Sequence, residues 1–113
     1  MLRTYLVKRW MPLNKSEMDI QREIEKYLDS RRIFHFRPGA DSTKSGLPDV
    51  VVCYEGHFIG LELKKPKTGK AQGHQKIISK EIKKNGGQSF FPRSLEDVEK
   101  VLRKIDLDKE WQR

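Results

Sequence analysis

Residues 49–64 read DVVVCYEGHFIGLELK, two apolar runs flanking Glu55-Gly56, and that arrangement is the signature of a β-hairpin. Strands this apolar are expected to be buried on both faces, so the charges at the open end of the hairpin demand a reason. With the turn at Glu55-Gly56, Tyr54 faces His57, and counting back along both strands sets Asp49 opposite Glu62, with Lys64 on the same face as Glu62 two residues on. Opposed like charges destabilise a sheet, and a buried charge needs a partner. A divalent cation between the two carboxylates, with an ammonium beside it, turns that liability into a site. Oxygen ligands without clustered His or Cys favour Mg²⁺ or Mn²⁺ over zinc. An isolated E-x-K is ordinary charge alternation on a half-exposed strand. Here Leu61 and Leu63 bracket the charges, and Asp49 follows a turn at Gly46-Leu47-Pro48.

The rest of the chain supplies layers for this hairpin. Ser16 followed by Asp19 resembles a capping box, with Asp in place of the usual Glu or Gln. Ile20, Ile24, Tyr27 and Leu28 then recur at helical spacing to about Ser30. IFHF at 33–36 is a strand candidate, and RPGADSTKSG at 37–46 is a polar loop rich in turn formers. Ile77, Ile78 and Ile82 mark a second helix from about Gly73 to Asn85, stopped by Gly86-Gly87. QSFF is a strand ended by Pro92, and Ser94 with Asp97 caps a last helix carrying Leu95, Val98, Val101, Leu102 and Ile105. The expected order is α-β-β-β-α-β-α. Polar residues interrupt the apolar faces of two of these helices. On the first, Glu17 and Gln21 lie at the edge of the stripe that carries Ile24 and Leu28, with Glu23 at the opposite border. On the second, Gln75 shares the line of Ile78 and Ile82. Each alone reads as an ordinary helix-end polar residue; together they aim polar groups at the hairpin.

The 113 residues suit one domain with a small core. Lys and Arg number 24 against 16 Asp and Glu, leaving a net charge of +8. So basic a small domain points to a polyanionic partner, nucleic acid before any other. Cys53 is the only cysteine, which excludes an intramolecular disulfide and a Cys-rich zinc site and suits a reducing interior. Residues 1–15, MLRTYLVKRWMPLNK, form a basic arm without a continuous apolar segment, a mitochondrial presequence being the lesser alternative. Residues 16–113 form the domain, and no stretch is long enough to span a bilayer. Trp10 and Trp111 read as packing residues, and His35, His57 and His74 are scattered without a catalytic pattern. Lys65, Lys67 and Lys70, in KKPKTGK, lie on a Pro- and Gly-containing loop suited to contacting backbone phosphates without reading bases.

Gly46-Leu47-Pro48-Asp49, then Glu62-Leu63-Lys64, then Gln75, in this order of elements, closely resemble the PD-(D/E)XK nuclease superfamily and, within it, the VRR-NUC group, whose small stand-alone members occur in phages. The resemblance covers about residues 16–105. It implies a restriction-endonuclease-like α/β fold, an αβββαβ core with a C-terminal helix and a mixed central sheet. It implies that Asp49 and Glu62 hold Mg²⁺ or Mn²⁺, that Lys64 positions or deprotonates the attacking water, that Gln75 belongs to the site, and that an acid on the first helix joins them. Glu17 is assigned that place by position and face, Gln21 is the second candidate and Glu23 the third. Ser45, with Ser42 and Thr43, corresponds to a loop that contacts the scissile phosphate in related resolvases. The expected activity is Mg²⁺-dependent endonucleolytic cleavage of DNA by a homodimer acting on branched structures such as Holliday junctions, in a phage or bacterial cytoplasm. The alternatives are a flap, nicking or restriction-type nuclease, or a basic DNA-binding module without catalysis, which would have no need of Asp49, Glu62 and Lys64 together.

Overall fold

A computed structural model of the chain describes residues 16–39, 45–64 and 73–111; the expected basic arm at 1–15 lies outside them. The elements are α1 (Glu17–Ser30), β1 (Phe34–Phe36), β2 (Val50–Tyr54), β3 (His57–Leu61), α2 (Gly73–Lys84), β4 (Gln88–Phe90) and α3 (Leu95–Trp111). The four strands form one sheet in the order β1-β2-β3-β4. The first three are mutually antiparallel, and β4 joins β3 in parallel through the α2 crossover. This is the expected α/β architecture with a mixed sheet.

Local chemistry fixes each boundary. At the start of α1 the Asp19 amide donates to Ser16 Oγ and the Ser16 amide to Asp19 Oδ2, both at 3.1 Å, so the shorter acid closes the capping box as Glu would. The helix ends in a Schellman motif without glycine: Arg32 takes φ 56°, its amide and that of Ile33 return to the carbonyls of Asp29 and Leu28, and Leu28 and Ile33 are both buried. α2 ends the same way with Gly86 at φ 91°, the Gly86 and Gly87 amides reaching the carbonyls of Lys83 and Ile82. The hairpin turn has φ 50° at Glu55 and 81° at Gly56, the two positive values of a type I′ turn, whose twist matches that of the strands it joins.

Pairing runs from Tyr54↔His57 through Val52↔Ile59 to Val50↔Leu61, the expected register. Val50 and Val52 of β2 and Ile59 and Leu61 of β3, with Leu63 beyond it, therefore share a face, and they pack into one cluster with Ile20, Ile24 and Leu28 of α1 and Val98, Leu102 and Ile105 of α3. Truncating one of the isoleucines or leucines of this cluster to alanine would cost about 2–5 kcal/mol.

The other face is covered unevenly. α2 lies over its β3–β4 half, where Ile82 Cδ1 comes 3.1 Å from the place a Cβ on Gly60 would occupy. Phe34 and Phe36 of β1, Cys53 of β2 and Phe58 at the turn end of β3 are exposed. The expectation that the hairpin is buried on both faces therefore holds only toward its Asp49 end, because one short helix cannot cover a four-stranded sheet. Ile77, one of the three isoleucines that mark α2 in the sequence, is 57% exposed. It stands 100° around the helix from Ile78, and the surface under α2 accommodates only one of the two.

Candidate active site

Beyond Leu61 the chain stays extended but changes partners. The amides of Glu62 and Lys64 donate to the carbonyls of Phe90 and Pro92, both at 3.0 Å, so the amide of Leu63 points back toward β2. There it meets Asp49 Oδ2 at 2.8 Å. The Asp49 side chain thus supplies the acceptor at the point where the backbone of β2 has turned away. The same placement leaves Asp49 next to Glu62, the outward neighbours of the Val50↔Leu61 pair.

The Gly46-Leu47-Pro48 turn is built to deliver that aspartate. Gly46 has φ 81°, and a Cβ there would lie 2.4 Å from the carbonyl oxygen of His74, so only glycine permits the loop to rest on the first turn of α2. Pro48 is buried and sits over Gly60, where a Cβ would come within 2.8 Å of Pro48 Cγ. Gly60 was not singled out in the sequence, although a glycine inside an apolar strand is itself a signal of close approach. The loop is tied down further by a 3.0 Å hydrogen bond between Ser45 Oγ and His74 Nδ1. His74, read from the sequence as one of three scattered histidines, thus has a place in holding this loop, which only its adjacency to Gln75 could have marked.

Glu62 and Lys64 are both buried, 8% and 5% exposed. Gln75, in the first turn of α2, joins them: its Nε2 donates to Glu62 Oε1 at 2.6 Å, and its Oε1 accepts from Lys64 Nζ at 2.7 Å. A primary amide is the group that can donate a hydrogen bond to the carboxylate and accept one from the ammonium. The second carboxylate oxygen, Glu62 Oε2, is buried with no hydrogen-bond partner among the described residues. Burial, followed by the neighbouring Asp49 carboxyl, pushes the pKa of Glu62 up to about 8; Lys64 pulls against them, and Glu17 adds to the rise.

The three candidates on α1 occupy different surroundings. Glu17, half-buried at the start of the helix, is the one whose charge acts on Glu62. Gln21 is buried but helps hold down the pKa of Glu25, and Glu23 is half-buried one helical turn and a half beyond Glu17. Among the described residues no three His, Cys, Asp or Glu side chains come together closely enough to enclose a metal. Lys65, Lys67 and Lys70, with Ser42 and Thr43, lie outside the described residues.

Neither the known family models nor the curated proteins give a match to this sequence. A solved structure described as "VRR_NUC domain" does match, with a TM-score of 0.67 and 23% identity over 77% of this chain and 94% of the other. The chain has the VRR-NUC fold. In the VRR-NUC fold of this protein, the end of the hairpin, the Gly46 turn and the N-terminus of α2 meet at one point, and Asp49, Glu62, Lys64 and Gln75 all come from those three pieces. No helix among the described residues is long and apolar enough to cross a membrane.

Proposed function

We propose that this protein is a divalent-cation-dependent nuclease that hydrolyses DNA phosphodiester bonds at Asp49, Glu62 and Lys64. The observation that carries the reading is Glu62: a carboxylate buried beside a second carboxylate, with one oxygen unpartnered among the described residues. Such an arrangement is costly in a folded protein and fits a site completed by a cation. Mg²⁺ or Mn²⁺ suits it, because small hard cations take one or two carboxylates and fill their remaining positions with water and substrate phosphate. Asp49 and Glu62 would hold the ion, with Glu17 contributing negative charge from α1. Once bound, the ion supplies a Lewis acid for charge that builds on phosphate oxygens.

The protein's own groups do the remaining work. Gln75 fixes Lys64 Nζ beside Glu62 while using one of its three N–H donors. The others are left to orient an attacking water or to stabilise charge on the phosphate. Asp49 keeps its place because its carboxylate also completes the backbone pairing at Leu63. In this reading Ser45, hydrogen-bonded to His74, would touch a substrate phosphate, and Lys65, Lys67 and Lys70 would supply positive charge for the DNA backbone.

The finer reading is an endonuclease acting on branched DNA as a homodimer. A two-fold pair cuts two strands symmetrically, and the exposed Phe34, Phe36 and Phe58 on the sheet give a second copy an apolar surface to cover. Purified protein incubated with labelled duplex, flap, single-stranded and four-way-junction DNA tests the whole proposal. Cleavage in Mg²⁺ or Mn²⁺ but not in EDTA is expected, fastest on the junction. Preference for the flap or duplex substrate assigns a flap, nicking or restriction-type enzyme instead. Binding of DNA without cleavage under any condition removes the enzymatic reading in favour of a binding module.

A further inference from the structure

The net positive charge of this protein is unevenly distributed over its layers. On the core side of the sheet α1 carries five acidic residues against two basic ones, and α3 carries six against four. On the opposite side α2 carries four lysines, Lys76, Lys80, Lys83 and Lys84, against the single acid Glu81. All four are exposed, and among the described residues none of them has an ion-pair partner. Some basic residues elsewhere are engaged, Arg37 with Glu25, Lys109 with Glu55 and Arg31 over the ring of Tyr27, and those of α1 and α3 lie among a local excess of acids.

Helical geometry makes the four lysines a stripe. At 3.6 residues per turn they fall within an arc of about 100°, on the side away from Ile78 and Ile82, which face the sheet. From Lys76 to Lys84 the stripe rises about 12 Å, the axial span of about three to four phosphates of one DNA strand. It also begins at the candidate site, because Lys76 directly follows Gln75, which touches both Glu62 and Lys64. We infer that the solvent face of α2 tracks the phosphate backbone of a DNA strand as it leads away from the cleavage site, and that the acidic α1–α3 side faces away from the DNA. This rests on the nuclease reading for its direction along the strand. The partner itself follows from the charge: a row of unpaired ammonium groups against a polyanion, whose phosphates are contacted without reading sequence.

The test is a binding measurement in EDTA, where DNA stays uncut, over a series of monovalent salt concentrations. Three proteins are compared: the parent, a variant with Lys76, Lys80, Lys83 and Lys84 changed to Gln, and a variant with Lys100, Arg103 and Lys104 of α3 changed to Gln. Each lost phosphate contact on duplex DNA lowers the slope of log affinity against log salt by about 0.9. The α2 variant is expected to lose between about 2 and about 4 units of slope, and the α3 variant to keep the parent's slope. Changing the four α2 lysines to Arg should preserve it as well, which guards against a fold defect being read as lost contacts. An unchanged slope in the α2 variant overturns the inference, as does an equal loss in the α3 variant. Parent protein that binds anionic phospholipid vesicles and not DNA overturns it in favour of a membrane surface. Cleavage by the parent in Mg²⁺ is scored separately: a parent that cuts while the α2 variant keeps its slope loses only this surface, and a parent that never cuts while the slope falls loses only the nuclease reading.

Discussion

Glu25 and Glu62 are both glutamates that the fold brings next to charged neighbours, and they end in opposite conditions. Glu25, on α1, is met by the Arg37 guanidinium through two parallel hydrogen bonds of 2.7 and 2.6 Å, one for each oxygen, and its pKa is lowered, first by that contact. Glu62 has one oxygen bonded to Gln75 and the other without a partner among the described residues, and its pKa is pushed up to about 8 by burial and by Asp49. The protein completes one carboxylate by itself and leaves the other incomplete. A carboxylate satisfied by its own fold is a structural element, and one held in a burial it does not suit is a candidate for chemistry.

The sharpest way to break this contrast is by activity. Asp49→Ala, Glu62→Ala and Lys64→Ala should each lower metal-dependent cleavage by at least about 100-fold while leaving most DNA affinity, which comes from distributed basic contacts. Glu25→Ala should leave the cleavage rate near that of the parent. Undiminished cleavage by any of the first three removes that residue from the mechanism, and a collapse in the Glu25 variant would erase the distinction.

Stability against pH separates the two residues next. Glu62, with a folded pKa raised to about 8, favours the fold fully only below the ordinary glutamate pKa, and its contribution is lost as pH rises through about 8. Glu25, with a lowered pKa, contributes above the ordinary value and loses its contribution as pH falls through the lowered one. In EDTA the parent should therefore lose stability from pH 5 toward pH 8 more steeply than Glu62→Gln does, and Glu25→Gln should follow the parent there. Melts of the three proteins across that range decide it; parallel curves would mean that Glu62 is not strained by ionisation.

A smaller effect is expected from the cation. At several times its dissociation constant Mn²⁺ should stabilise the parent by about 1 kcal/mol and Asp49→Asn not at all, although Asn can still accept from the Leu63 amide and should melt no lower than the parent in EDTA near neutral pH. A Mn²⁺ shift of equal size in both proteins would move the metal away from Asp49. The least effect belongs to the surface pair. Glu25→Gln should lower the melting temperature slightly at low salt and indistinguishably at high salt, since exposed ion pairs are screened.

Much of this molecule can be read before it is seen, for reasons that differ from place to place. The hairpin register was legible because a two-residue turn with glycine leaves no freedom in the count. The ends of α1 and α2 were legible because capping box and Gly-Gly stop are local chemistry. The exposure of Ile77, Cys53 and Phe58 was not, since it depends on how far α2 extends over the sheet, and sequence periodicity carries no such information. Gly60 acquires meaning only with Pro48 above it, a contact across the turn. On α1, Glu17, Gln21 and Glu23 lie within two turns of one another, and their separate surroundings follow from where α1 meets the open end of the hairpin.

The Glu55-Gly56 turn has a consequence at the far end of the sheet. Five residue pairs separate it from Asp49 and Glu62, a length of about 17 Å, and nothing along that length can take up an error. One residue added to or removed from a single strand would slide Asp49 past Glu62 and carry it to the opposite face, while the core would still find apolar residues to bury. The hairpin is thus a measuring rod graduated in whole residues, with its zero at the turn and its reading taken at the acids. Its composition is open to change, since Asn-Gly would serve as well as Glu-Gly, but its count is not. Length, an attribute no single side chain carries, is therefore as strict a requirement of this site as the identity of its carboxylates.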